Sequence, residues 1–405
     1  MRAAETTVRA VNALTARWAG VVDGGTVFSA AGVWPLLAFL ADGAGGAARA
    51  ELADAVGIPA GQAAAAAREL LGGLPAMRGV DSALGLWTKR TLALREEWSA
   101  GLPTEAHGVL TGDLGADRAA LDAWAAKRTG GLIERMPVAL TDATELVLAS
   151  ALALRTEWLR PFREVPMESV HWSDRVPLGL RRETVLLDRI GVADTPDGHV
   201  TRLKVLGNAA LDVHLLLGEE GMTSGQVLGA GVEILDGRHP VVPGDRLPYG
   251  APGPGLHVAK EHRTSPRPPT LDVTTVAYDM SARHDLLRLH RLFGLTTARD
   301  SARGHFPGIS GFPLAIGSAG QSTTARFGAR GFRAAAATAL AAAPGGAPPD
   351  LRYVTTTVTA RFDRPFAFLA LHRHSRLVLA AGWVTDPELF PGTTGADRRR
   401  PGGRR

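Results

Sequence analysis

Apolar and polar positions along the chain change rhythm from helical to strand-like as it proceeds. Between 8 and 78 the rhythm is helical. Val33, Leu36, Leu37 and Leu40 fall at i, i+3, i+4 and i+7, which places them on one helix face. The glycine-rich 43–46 stretch stops that helix. Ala-rich segments at 47–56 and 60–71 continue the helical run, parted by Gly57 and Pro59. Strand signals begin at 83–87, and a further helix carries Leu121, Trp124 and Ala125. The run 146–154 is mostly apolar and uncharged, and its length suits a strand buried on both faces. From 169 onward strands dominate, clearest at 211–217, 352–370 and 376–384. The stretch 236–270 is dense in Pro and Gly, shows no period and reads as an inserted loop or linker. Residues 285–295, with Leu286, Leu289, Leu292 and Phe293, read as a short helix. Helices first, then many strands with helices scattered between, predict an α+β fold. No break separates two hydrophobic patterns, so 1–390 reads as one domain.

Composition narrows the function classes. No run approaches eighteen consecutive apolar residues, so a membrane span is not expected. The chain has no cysteine, which excludes disulfides, thiolate metal sites and a cysteine nucleophile. The net charge of +5 comes mainly from Arg398, Arg399, Arg400, Arg404 and Arg405. Outside this tail, 391–405, basic and acidic residues nearly balance, so no basic face for nucleic acid is indicated. The tail itself reads as disordered and solvated. The start, Met1 to Thr7, lacks the apolar run of a secretory signal, so by sequence the protein is cytoplasmic.

Catalytic and cofactor motifs are missing. There is no phosphate-binding GxxxxGK[ST] loop, and the glycines of 250–255 have the wrong spacing for a dinucleotide site. His257 and His262 stand one residue too far apart for an inverted zinc motif, and Gly308-Ile309-Ser310-Gly311 lacks the spacing of a nucleophile elbow. His372 and His374 share a strand face but have no third ligand nearby in sequence. No catalytic residue, metal or cofactor is expected.

Residues 326–365 carry the functional argument. Gly331, Phe332 and Arg333 lead into Ala334, Ala335, Ala336, Ala337 and Thr338, and a Gly/Pro-rich stretch around Gly345 and Gly346 follows before a strand begins. An Ala-rich helix is one reading. The other is a segment of small side chains that slides between two strands with little steric cost.

The arrangement resembles the hinge and reactive loop of the serpin family, whose hinge has a glycine, a small residue, a glutamate, then alanines and a threonine. Gly331, Ala334 to Ala337 and Thr338 match in register. Other segments match in order: Thr26-Val27-Phe28-Ser29, Trp124 with Thr129-Gly130-Gly131, Trp158 with Pro161-Phe162, Leu292-Phe293-Gly294, Phe306-Pro307-Gly308, Phe362-Asp363-Arg364-Pro365-Phe366 and Gly382-Trp383. The chain resembles a divergent serpin of bacterial type. The resemblance implies an α+β fold of eight or nine helices around three sheets. It also implies a monomer with no cofactor, whose loop is offered to a serine protease and inserts into the five-stranded central sheet after cleavage. Members of the family are often extracellular. A polar cluster beneath the central sheet is implied at Ser29, Gly32, Ser150 and Gln321, where the family has two serines, an asparagine and a histidine.

The hinge departs from the family pattern. Phe332 stands for a small residue, Arg333 for the glutamate, and Ala329 and Arg330 for two acids. In an inserted strand alternate side chains enter the core, beginning with Phe332, so the phenyl ring is expected to cost about 1–3 kcal/mol as overpacking. Counting from the hinge puts the scissile bond at Gly345–Gly346; counting back from Phe362 puts it near Val354. Fourteen inserted residues already span about 46 Å, which favours the hinge count. Ala343 suits an elastase-like protease and Arg352 a trypsin-like one. The expected function is a suicide-substrate inhibitor of serine endopeptidases. The alternative is a non-inhibitory serpin-fold binding or scaffolding protein cleaved as a plain substrate.

Overall fold

The computed structural model describes residues 5–300, 303–332 and 352–391. The chain opens with α1 (Glu5–Ala19), β1 (Thr26–Phe28), α2 (Ala30–Gly43), α3 (Gly46–Val56), α4 (Ala60–Gly73), β2 (Val80–Lys89), α5 (Glu96–Ala100), β3 (His107–Leu110) and α6 (Leu114–Arg128). Strands follow: β4 (Leu146–Leu154), β5 (Thr156–Glu157), β6 (Arg163–Pro166), β7 (Leu178–Thr184), β8 (Ile190–Thr195), β9 (Gly198–Leu206) and β10 (Leu211–Gly218). Next come α7 (Ser224–Leu235), β11 (Val241–Pro243), β12 (Leu256–Arg263), β13 (Thr270–Val276), β14 (Tyr278–Asp285), β15 (Ile316–Phe327) and β16 (Gly331–Phe332). β17 (Tyr353–Arg361), β18 (Phe366–His372) and β19 (Val378–Val384) complete the described chain. The α+β expectation holds, with seven α-helices among the described residues rather than eight or nine.

Three sheets form. The central sheet runs β3-β2-β4-β15-β14, and β16 and β5 close its upper end. A seven-stranded sheet, β1-β19-β18-β10-β9-β8-β11, lies behind it, and a five-stranded sheet runs β12-β17-β13-β7-β6. The run 146–154 is a strand buried at every position, as its lack of charge predicts. Helix α2 is buried all round except at Asp42, so Val33, Leu36, Leu37 and Leu40 are part of a wholly apolar helix rather than one stripe.

Two sequence expectations fail here. The 236–270 stretch is not a structureless loop: it contributes β11 and β12. In β12 only Leu256 and Val258 turn inward, while charged residues alternate toward water, so the apolar signal is too short to stand out among the flanking Pro and Gly. Residues 286–294 form turns rather than a helix. Leu286 and Phe293 are buried there, so the apolar spacing reflects packing of a compact turn. Gly294 ends the stretch: its φ is +65°, and an added Cβ would lie 2.3 Å from the Glu51 carbonyl oxygen.

Candidate functional site

The site is the junction of β4 and β15. These strands are parallel neighbours from Ile316 opposite Leu146 to Thr323 opposite Leu152, with one register shift between Ile316 and Ser318. Above that point they part. Phe327, at the top of β15, pairs instead with Phe332, and Phe332 and Gly331 pair in turn with Thr156 and Glu157 of β5. The chain has therefore turned back on itself at Gly328–Gly331, closed by a hydrogen bond from Gly328 N–H to Gly331 O of 3.0 Å. The two residues of β16 already sit between β15 and the continuation of β4.

Gly331 is required there, because a Cβ would lie 2.3 Å from the Thr156 carbonyl oxygen. Phe332 is 1% exposed, its ring 6.1 Å from that of Phe368. The turn is held from the flank. Trp158 Nε1 donates to Gly328 O at 2.9 Å, Trp158 N–H to Arg330 O at 2.9 Å and Phe162 N–H to Ala329 O at 2.8 Å. Trp158 and Tyr278 both lie on Phe327, with ring centroids 4.9 and 5.3 Å away. The remaining hinge residues, Arg333, Ala334, Ala335, Ala336, Ala337 and Thr338, and Ala343, Gly345 and Gly346 lie outside the described residues, as does the tail from 392 on. Arg352 is exposed immediately before β17.

Beneath the sheet the structure brings Ser29, Gly32, Ser150 and Gln321 together. Ser29 caps α2, its Oγ accepting from Gly32 N–H at 3.1 Å and donating to Leu379 O at 2.6 Å. Gln321 on β15 closes a two-way bond with the Ser29 backbone: it accepts from Ser29 N–H at 2.8 Å and donates to Ser29 O at 2.7 Å. Its Nε2 also reaches Ser150 Oγ at 3.4 Å. Gln321 and Ser150 are register partners across the β4–β15 junction, so separating these strands breaks this contact. A Cβ on Gly32 would meet Ser150 Oγ at 2.5 Å, so the missing serine side chain makes room for Ser150.

One member of this cluster escaped the sequence reading. His284 on β14 is the register partner of Gln321, and its Nε2 donates to Val27 O at 2.9 Å. Burial holds its pKa below the usual histidine value, the Val27 bond opposing, and its ring stands edge-on to Trp18 at 5.2 Å. The available signal was its place in an alternating strand that runs on from the buried Tyr278.

Among the described residues no group of three or more His, Asp or Glu side chains is arranged to hold a metal ion. No described helix is long and apolar enough to cross a membrane.

Comparison with known proteins gives one answer. The family model described as serpin (serine protease inhibitor) matches residues 3–173. A rice (Oryza sativa subsp. japonica) protein carrying the name serpin-Z6A is 27% identical over 386 residues, covering 89% of this chain and 93% of the relative. The native-state structure of the thermophilic serpin tengpin superposes with a TM-score of 0.72 at 13% identity, over 94% of each chain. Human thyroxine-binding globulin with thyroxine superposes at 0.70 and 16% identity, over 95% of this chain and 98% of that one. The chain therefore has the serpin fold over almost its whole length, and its first part, residues 3–173, carries the serpin sequence signature.

Proposed function

We propose that the protein is a suicide-substrate inhibitor of a serine endopeptidase, and that residues 333–345 enter the central sheet between β4 and β15 once the loop is cut. The observation that carries this reading is the position of β16. Its two residues have turned back between β15 and β5, in line with the β4–β15 junction. The next residues of the chain need only continue that strand downward. In the reaction the protease serine attacks the Gly345 carbonyl carbon, and the Gly345–Gly346 bond breaks. The Gly346 amine leaves with a proton, and an ester joins Gly345 to the protease. Insertion of the freed strand then competes with hydrolysis of that ester.

The placement of Phe332 supports this reading in a way its size alone did not suggest. Its ring is seated in the intact protein, so its burial is no longer a step that insertion must make. The placement of β17 supports the hinge count for the cut. Val354 lies inside that strand, opposite His262, where a protease has no extended chain to grip. A second reading, a binding protein cleaved as a plain substrate, is favoured by Arg333 and by the absent acids at 329 and 330. The thyroxine-bound relative uses the same fold to hold a ligand.

A panel of serine proteases, scored on denaturing gels, separates the two. The proposal expects a complex that survives denaturant and a cleaved form that melts well above the intact one. Clean cleavage without a complex, and without a gain in melting temperature, would overturn it in favour of the second reading.

A further inference from the structure

Beside the hinge, four cations outnumber the carboxylates around them among the described residues. Arg160 follows β5, Arg182 lies on β7, Arg189 precedes β8 and Lys204 lies on β9; together they line one cleft of about 70 Å³ over Leu159, Leu186 and Leu206. That volume is on the order of two waters' share of liquid, the scale of a single small ion rather than of a cofactor. Asp188 is the carboxylate beside them, and it is bonded to Arg189 at 2.6 Å. The next nearest, Asp212, is taken by Arg373 at 2.6 and 2.8 Å.

Arg182 is the centre of the cluster. Its guanidinium lies 4.2 Å over the Phe162 ring, and its Nη1 donates to Arg160 O at 2.7 Å. Its Nε is buried without an acceptor among the described residues. Burial and the charges of Arg160 and Arg189 lower its pKa to about 10; Lys204 is lowered too, by burial and then by Arg202 and Arg189. Like charges held this close repel one another unless an anion sits among them. Arginine forks fit the oxygens of a phosphate or sulfate in pairs, and a lysine adds a point charge.

We propose that this cleft binds a tetrahedral oxyanion, a phosphate or sulfate group, between Arg160, Arg182, Arg189 and Lys204. The group is either a free ion or the end of a larger ester. Its place gives binding a mechanical consequence. Arg160 stands between Trp158 and Phe162, whose N–H groups hold the carbonyls of Arg330 and Ala329. An anion gripping Arg160 to β7 and β9 therefore fixes the flank of the turn that carries Phe332.

The test is calorimetric titration of the full chain with orthophosphate against chloride at equal ionic strength. Phenyl phosphate forms a second arm, and Arg160→Gln, Lys204→Gln and the tail control Arg404→Gln are the variants. The expectation is saturable orthophosphate binding that weakens at least fivefold in the two cleft variants and is unchanged in the control. Equal affinity for phenyl phosphate assigns the site to an esterified group, and loss of it assigns the site to the free ion; either supports the cleft. Absence of saturable binding, or equal binding in all variants, overturns it.

Discussion

The two ends of the stretch 333–351 are anchored very unequally. At its start, β16 consists of two residues, paired at Phe327 on one side and at Thr156 and Glu157 on the other. At its end, β17 is an interior strand, antiparallel to β12 from Leu256–Ala360 to Arg263–Tyr353 and parallel to β13 from Thr270–Thr357 to Thr274–Arg361. The start is held by one ring and a turn; the end is stitched into a sheet on both sides. An uncut loop that descended the central sheet by about 46 Å would need a comparable length of chain to climb back to Tyr353. Six residues extend only about 20 Å, so β17 would have to leave both neighbours. The inequality teaches that the start has far fewer partners to lose than the end, which is the arrangement that the proposed insertion after a cut requires.

The sharpest way to break this comparison is to remove the ring that anchors the weak end. Phe332→Ala empties a fully buried site and is expected to cost about 3–5 kcal/mol, read as a shift in the urea midpoint of the intact protein. An unchanged midpoint would mean that the ring does not anchor the start. The strong end is attacked next through Ala259→Pro. Val258 N–H bonds Gly250 O, away from β17, so the alternating N–H of Ala259 faces β17 opposite Thr357. Proline there removes that donor at about 1–3 kcal/mol. Slow, spontaneous loss of protease reactivity on warming should then run roughly tenfold faster, since about 1.4 kcal/mol is tenfold in rate. An unchanged rate would show that β12 does not hold β17.

Acid tests the sheet on which both ends rest. His214 of β10 pairs with Leu369 of β18, the strand that follows β17. Burial, then Arg202 and Lys204, lowers its pKa to about 3, against about 6.5 unfolded. The folded state therefore favours the neutral ring. Its contribution is whole above pH 6.5 and is lost as the pH falls toward 3, by about 1.4 kcal/mol per pH unit. Burial lowers His284 and His372 in the same sense. Urea unfolding at pH 7.5 and 5.5 measures the slope, and His214→Gln should flatten it by about half a proton averaged over that range, about 1.4 kcal/mol in all. The smallest effect is expected from deleting 392–405. If β17, β18 and β19 secure the strong end by themselves, the melting temperature should stay within about 1 °C, roughly what a 1 kcal/mol change produces in a chain of this size.

Legibility in the sequence followed physical scale. The 146–154 strand was readable because burial on both faces leaves no polar alternation to confuse with a helix. Ser29, Ser150 and Gln321 were placed by family register, and their meeting is real, but their bonding was not readable: it depends on a side-chain amide spanning two elements. Phe332 was legible as an anomaly of size and not as an anchor, since the space that accepts it is bounded by Phe368 and Thr156 from strands distant in sequence. β12 was hidden because two inward residues make too short a period beside Pro and Gly. The cation cleft was invisible for the same reason as the amide: Arg160, Arg182, Arg189 and Lys204 meet only through the packing of separate elements.

The interior position of β17 also decides what becomes of a severed chain. With no cysteine to bridge the pieces, the described residues beyond a break in 333–351 are retained by non-covalent contacts alone: β17 between β12 and β13, β18 between β10 and β19, and Arg373 paired with the buried Asp212. The fragment has no route out that does not dismantle two sheets at once. A nicked molecule thus becomes an obligate heterodimer of its own halves, one band on a native gel and two on a denaturing one, indifferent to reductant and to dilution.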